Sequence, residues 1–283
     1  MSRGLVLIAA CVILLSVPGL AQTPNVIANA DASFDRWSDT FSFSDYQAQL
    51  LHSLALYEEA LPTIDSSALQ TRSYVLNRLA QGYFELGMAY LTDRDEQEEA
   101  YNKGKDYALA SLRLDPVFVE AEKGSFRAAL GSASDVKAVF WYANNLGRYI
   151  NFHLLTAISG GMKDVQASFE CAIELDPTYL GGGPWRSLGS FLARVPTFMG
   201  GNQDDAHLAF ANAATIDPTF IENYVDDADY IARLAKDWDR FCDQISIALA
   251  AGANQETMAA WPLYNTLALQ RAQDLAADHR CDN

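Results

Sequence analysis

A Leu-Gly pair followed about thirty residues later by an Asp-Pro pair occurs three times, and nothing else in the chain restricts its fold as much. Leu86-Gly87 leads to Asp115-Pro116, Leu146-Gly147 to Asp176-Pro177 and Leu188-Gly189 to Asp217-Pro218, with Gly-to-Pro separations of 29, 30 and 29. Apolar or Ala-rich stretches precede each proline: Ser111-Leu-Arg-Leu114, Ala172-Ile-Glu-Leu175 and Ala213-Ala-Thr-Ile216. A glycine lets a second helix come close. Proline ends a helix, because it lacks the N–H donor and its ring clashes one turn back. The spacing therefore predicts helix pairs that recur along the chain and stack on their neighbours.

The surroundings of these pairs fix the helices more closely. Tyr46, Leu50, Leu54 and Tyr57 share one face of a helix starting at Ser44, and 66–91 forms a second. Residues 96–114 complete the first pair, 135–159 and 162–175 the second, 184–194 and 204–216 the third. Helices near 221–235, 238–249 and 263–277 close the stack. No alternating β-branched run argues for a sheet. The third copy, Trp185-x-x-Leu188-Gly189-x-x-Leu192 followed by Ala206, Phe210, Ala213 and Pro218, places the large and small residues of the tetratricopeptide pattern in order, although all three copies are about five residues longer than its standard unit between Gly and Pro. The fold expected is all-α: tetratricopeptide-like stacked antiparallel helix pairs, an α-solenoid with about three recognisable repeats plus flanking helices.

Three segments narrow the resemblance: Val139-Phe-Trp-Tyr-Ala-Asn-Asn-Leu-Gly-Arg-Tyr149, Leu180-Gly-Gly-Gly-Pro-Trp-Arg-Ser-Leu-Gly189 and Trp261-Pro-Leu-Tyr-Asn-Thr-Leu-Ala-Leu-Gln-Arg-Ala272. Together they resemble the T component of tripartite ATP-independent periplasmic (TRAP) transporters, over roughly residues 44–277. The resemblance implies a non-enzymatic periplasmic accessory subunit that associates with the transporter's substrate-binding protein. It also implies self-association as a homotrimer and an internal pore for an apolar ligand.

Export is expected independently. Arg3, the apolar run Leu5–Leu15 and the small-residue exit Ser16–Ala21 have the order of a secretory signal at 1–21, cleaved after Ala21. A second reading takes Ile8-Ala-Ala-Cys11 as a lipobox and leaves a lipid-anchored Cys11; relatives of the resembled family are often lipoproteins. Residues 22–43 lack a sustained period and read as a flexible lead-in, with the helical domain spanning 44–283. The net charge of −16 argues against nucleic acid as a partner. In an oxidising compartment Cys242, near one helix start, and Cys281, past the end of the next, are expected to bridge, leaving Cys171 as a small buried hydrophobe.

Counting from each Leu-Gly places one side of every first helix on the concave surface. In the second copy these positions are Trp141, Asn144, Arg148, Asn151 and Phe152; at about 100° per residue Trp141, Arg148 and Phe152 lie close together, opposite Ala143, Gly147, Ile150 and Leu154. The same count gives Gln81, Phe84, Met88, Leu91 and Thr92 in the first copy and Arg186, Ser190, Ala193 and Arg194 in the third. Arginine's planar fork suits a carboxylate or phosphate. The groove is therefore expected to take an amphiphilic anion: its lipid-like tail against Phe84, Met88, Trp141 and Phe152, its head near Arg148, Arg186 and Arg194, with Asn144 beside it. A competing account makes these aromatics ordinary core and pairs the arginines with local acids. Another makes the groove, through Asn144, Arg148 and Arg186, a scaffold for a partner's extended peptide.

Other chemistries find little support. Gly181-Gly-Gly183 is followed by no Gly-Lys-Ser/Thr, which argues against nucleotide binding; the triplet instead sets the angle of the helix opening at Pro184. His52, His153, His207 and His279 are scattered without metal-ligand spacing, and no cofactor is expected. Gly131-Ser-Ala-Ser-Asp135 lacks the second glycine of a nucleophile elbow and reads as a helix cap. Acidic pairs Asp204-Asp205 and Asp226-Asp227 fit helix starts better than the acid and base of a helical glycosidase, so no catalytic residue is assigned.

Overall fold

The computed structural model describes residues 23–35, 41–279 and 281, and every regular element among them is helical. The expected signal segment and Cys11 lie outside these residues. The chain begins with α1 (Thr23–Phe34) and α2 (Phe43–Ala60). Most of the segment expected to be a flexible lead-in is thus a helix. It buries only Ala30 and Phe34, too few apolar positions to give a period, and is tied to α2 by tertiary contacts. Tyr46 Oη donates to Phe34 O (3.0 Å), Ser53 Oγ to Ala30 O (2.8 Å), and Phe34 meets the Tyr57 ring edge-on.

Next come α3 (Leu69–Ala89) and α4 (Arg94–Leu112), joined by four residues and therefore antiparallel. Their seam closes at Gly87, where a Cβ would stand 2.8 Å from the Tyr101 ring. Asp93 caps α4 by accepting from the backbone N–H groups of Asp95 and Glu96. Two short helices follow, α5 (Pro116–Glu122) and α6 (Phe126–Leu130), neither long enough to show a period. Pro116 opens α5 rather than closing α4, a position where its missing N–H costs nothing. All three Asp-Pro sites share one local device. Asp115, Asp176 and Asp217 each accept, through Oδ1, the N–H two residues on, and Thr178 and Thr219 add their hydroxyls.

The expected helix over 135–159 is broken. Helix α7 (Val136–Tyr149) stops before Ile150; after a turn come the single-turn α8 (Leu154–Thr156), a π-helical turn at Ala157–Gly161 and α9 (Met162–Leu175). Gly160, at φ 135°, marks the kink. Helix α10 (Tyr179–Arg194) pairs with α11 (Gln203–Ile216). The C-terminal part contains α12 (Glu222–Asp227), a π-helical turn at Ala228–Ala232, α13 (Arg233–Ala235), α14 (Trp238–Gly252), α15 (Gln255–Ala260) and α16 (Pro262–His279).

Apolar side chains gather in three adjoining clusters. The central one draws on α3, α4, α7, α9 and α10; the second on α1, α2 and α3; the third on α12, α14 and α16. A disulfide between Cys242 and Cys281, with Cα atoms 5.3 Å apart, ties the start of α14 to the end of the chain. The first and last parts also touch. Leu263 joins the N-terminal cluster, and Tyr264 Oη donates to Glu85 Oε1 of α3 at 2.6 Å. In a strictly one-dimensional stack each unit meets only its neighbours, and this contact departs from that rule.

Candidate functional site

The strictest backbone requirement in the chain lies at the start of α10. Leu180, Gly181 and Gly182 all have positive φ, at 51°, 59° and 78°, before the helix becomes regular near Pro184. A Cβ on Gly181 would stand 2.7 Å from Asp217 Oδ2 and 3.0 Å from the Trp261 ring; one on Gly182 would stand 3.0 Å from Ala213 Cα. Glycine is needed at both, for φ and for space. Trp261 Nε1 donates to Asp217 Oδ2 at 2.7 Å, so the turn is held from α11 and from the residue that precedes α16.

Arg186 locks this turn from inside. It is 4 % exposed, and its two Nη atoms donate to Gly181 O (3.2 Å), Leu180 O (3.1 Å) and Asn223 Oδ1 (3.3 Å). Nε faces Glu222 Oε2 at 3.4 Å, and the guanidinium carbon stands over the Phe220 ring, 3.4 Å from its centroid. Burial lowers its basicity, while Glu222 and other nearby acids raise it. Glu222 is 29 % accessible although protein surrounds it, because its open face gives onto a cavity. Desolvation, then the negative charge of Asp226, pushes its carboxyl above the ordinary range; Arg186 opposes both.

That cavity, of about 240 Å³, lies between α3, α7, α9 and α10. Phe84, Met88, Trp141, Asn144, Arg148, Arg186 and Arg194 all line it. Trp141 is 1 % exposed and is wall rather than rim: its ring packs on Phe84 and Phe140 at 5.5 and 4.9 Å, and Nε1 donates to Tyr179 Oη at 3.0 Å. Asn144 spends its amide on the fold, donating to Phe140 O (2.9 Å) and accepting from Ser187 Oγ (3.1 Å). Arg148, half-buried, and Arg194, exposed, differ from Arg186. Each lies near an aromatic ring, Phe84 at 5.9 Å and Tyr230 at 5.5 Å, and neither has an ion-pair partner among the described residues.

Phe152 falls outside the cavity. It packs against Tyr101 at 6.4 Å with Arg94 over its ring at 5.5 Å. Because α7 ends at Tyr149, helical counting cannot be carried on to residue 152. The separation of α7 into a packing side and a binding side is likewise incomplete, since Ala143, Gly147 and Ile150 also line the cavity. Sequence reasoning missed Phe169, Phe191, Met162, Tyr264 and Glu222 in the lining. Met162 and Phe169 are seven residues apart on α9 and had a detectable period; Glu222 and Tyr264 arrive by tertiary folding and had none.

The remaining candidates are engaged elsewhere. Asp226 accepts from Ser190 and from Arg271 Nη1 (2.5 Å), and Asp227 accepts from Arg240. Both acids are thus held by partners rather than poised as an acid and a base. Among the described residues no group of three or more His, Cys, Asp or Glu side chains is placed to hold a metal ion. Burial pushes the Cys171 thiol up to about 11, with its Sγ directed at Leu130 O (3.5 Å).

A model of the TRAP transporter T-component family matches residues 87–280, more than half of the chain. The chain belongs to that family. No curated protein matches it. As a T-component it is an accessory part of a TRAP transporter, which suggests an extracytoplasmic location; no helix among the described residues is long and apolar enough to cross a membrane. The three segments that carried the resemblance meet in space. Helix α7 supplies Trp141, the 180–189 segment supplies the left-handed turn and Arg186, and the last supplies Trp261, which holds Asp217, and Tyr264, which reaches Glu85.

Proposed function

We propose that this T-component is a periplasmic accessory subunit that associates with the transporter's substrate-binding protein and holds an apolar or amphiphilic anionic ligand in the cavity between α3, α7, α9 and α10. One observation carries the ligand reading. A cavity walled by Phe84, Met88, Trp141, Phe169 and Phe191 contains Arg148, a half-buried guanidinium without a carboxylate of its own. An apolar wall suits a hydrocarbon tail, and an unpaired arginine suits a carboxylate head. Arg186 is already spent on the turn, so the head lies on the Arg148 and Arg194 side. Arg186 contributes by fixing the wall, not by binding.

The reading of the fold as a tetratricopeptide-like solenoid belongs here too. Its support is the antiparallel α3–α4 and α10–α11 pairs, closed at Gly87 and Gly189. Export by a signal at 1–21, with lipidation at Cys11 as the other route to the same compartment, and assembly as a homotrimer complete the proposal. A peptide scaffold is the weaker reading, because Asn144, which would clamp the backbone, is occupied by Phe140 and Ser187.

The test is titration of purified protein with a long-chain carboxylate such as palmitate. Arg148→Met is expected to weaken binding about tenfold, the worth of one charge-assisted hydrogen bond. An unchanged affinity, or equal binding of the corresponding alcohol, removes the anion from the proposal.

A further inference from the structure

Trp141 and Leu180 stand in the walls of two cavities. The second, of about 480 Å³, lies between α3, the turn before α7 and the start of α10, and polar side chains, Arg78, Lys137, Asn77 and Asp135 among them, share its wall with Tyr74, Trp141, Tyr179 and Leu180. Arg78 of α3 is half-buried there. Its guanidinium lies over Phe34 at 4.8 Å and Tyr74 at 5.4 Å, and Nε donates to Tyr74 Oη at 3.2 Å. Tyr74 in turn donates to Asp31 Oδ1, an oxygen that also accepts from Tyr57. Asp31 therefore reaches Arg78 only through a tyrosine, and Arg78 forms no ion pair among the described residues. Lys137, on α7, is exposed and forms none either. Two unpaired cations at one cavity are notable in a chain with 36 acidic and 20 basic residues.

Asp135, in the same wall, forms no ion pair with either cation, and its lone pairs serve the fold. Oδ1 caps α7 by accepting from Lys137 N (3.0 Å) and Ala138 N (3.4 Å); Oδ2 accepts from Ser73 Oγ (2.8 Å) and Asn77 Nδ2 (2.7 Å). The bond to Asp135 also fixes how the Asn77 amide points, since a carboxylate can only accept. Asn77 is 6 % exposed, and its Oδ1 is left without a donor. Tyr179 accepts from Trp141, and its own O–H has no acceptor among the described residues. The unspent groups of the wall thus include three donors, two of them charged, and one buried acceptor.

We propose that this second cavity is an anion site, taking a compact oxyanion to which the Arg78 guanidinium, Lys137 ammonium and Tyr179 hydroxyl donate. A carboxylate and a phosphate share this chemistry. The site is distinct from the apolar cavity and does not depend on the amphiphile reading; Trp141 and Leu180 separate the two.

Isothermal titration at low ionic strength, with citrate in one arm and inorganic phosphate in the other, tests it. One-to-one binding of either anion is expected, and the arm that binds identifies the source. Arg78→Met and Lys137→Met are each expected to weaken it about tenfold, by loss of a charge-assisted bond, while Arg148→Met leaves it unchanged. Lys137 is exposed, so its variant keeps the test valid if Arg78→Met, which loses the stack on Phe34, fails to fold. No heat in either arm overturns the proposal, as does wild-type affinity in Lys137→Met. Loss of binding in Arg148→Met also overturns it, by moving the anion to the apolar cavity.

Discussion

The α10–α11 seam and the α7–α9 seam carry the same sequence signal, yet one is shut and the other opens onto a cavity. At the first, a Cβ on Gly189 would stand 2.9 Å from the Phe210 ring and 3.1 Å from Ala206 O, and at the head of α10 one on Gly182 would meet the Ala213 backbone. At the second, a Cβ on Gly147 would find nothing nearer than Val165 Cγ1 at 3.7 Å, an ordinary contact. Gly147 and Val165 both line the apolar cavity. The difference lies in the residue opposite. An aromatic ring at Phe210 fills the groove that glycine leaves, whereas a valine does not. A glycine in a helix pair therefore marks a place where helices can close, and its partner decides whether they do.

The largest effect expected from this comparison is at Gly182. Alanine there takes a left-handed conformation, at about 1–2 kcal/mol, and overpacks the backbone of α11, at about 1–3 kcal/mol. Chemical denaturation of Gly182→Ala should show a loss of about 4 kcal/mol. A loss below about 1 kcal/mol means that α10 can be rebuilt away from α11, and the seam is not closed as described. Gly189→Ala comes second. Its backbone is helical, so overpacking at about 1–3 kcal/mol is partly offset by alanine's helix preference of about 1 kcal/mol, and a net loss of about 1 kcal/mol is expected. The double variant Gly189→Ala, Phe210→Leu makes room for the methyl and should recover part of it; no recovery means that the ring is not what shuts the seam.

Much of the fold was legible because long helices carry their own period. The faces of α2, α3 and α11 were readable from spacing alone. Helices α5, α6 and α15 span 7, 5 and 6 residues, under two turns, and offer no period to read. The site was half legible, and its errors have physical causes. Phe152 was placed by continuing a helix that stops three residues earlier. Arg148 and Arg186 were indistinguishable as sequence: both are arginines on the inward side of a first helix. What separates them is the supply of acceptors, since the left-handed turn aims the carbonyls of Leu180 and Gly181 at Arg186 and none at Arg148. Backbone carbonyls have no sequence signature, so an arginine that staples a turn and one without an ion-pair partner read alike.

The smallest effect is the most discriminating. Gly147→Ala adds a methyl where the seam is loose, in a helix interior where alanine is favoured over glycine by about 1 kcal/mol. Stability should rise by up to that amount, the opposite sign to Gly189→Ala for the same chemical change. The methyl has to occupy some space, and that space belongs to the cavity. Palmitate binding should therefore weaken severalfold in a protein that is at least as stable as the parent. Weaker binding without loss of stability would locate the ligand at this seam. A destabilised Gly147→Ala would mean that α7 and α9 touch there after all, and the contrast between the two seams would fail.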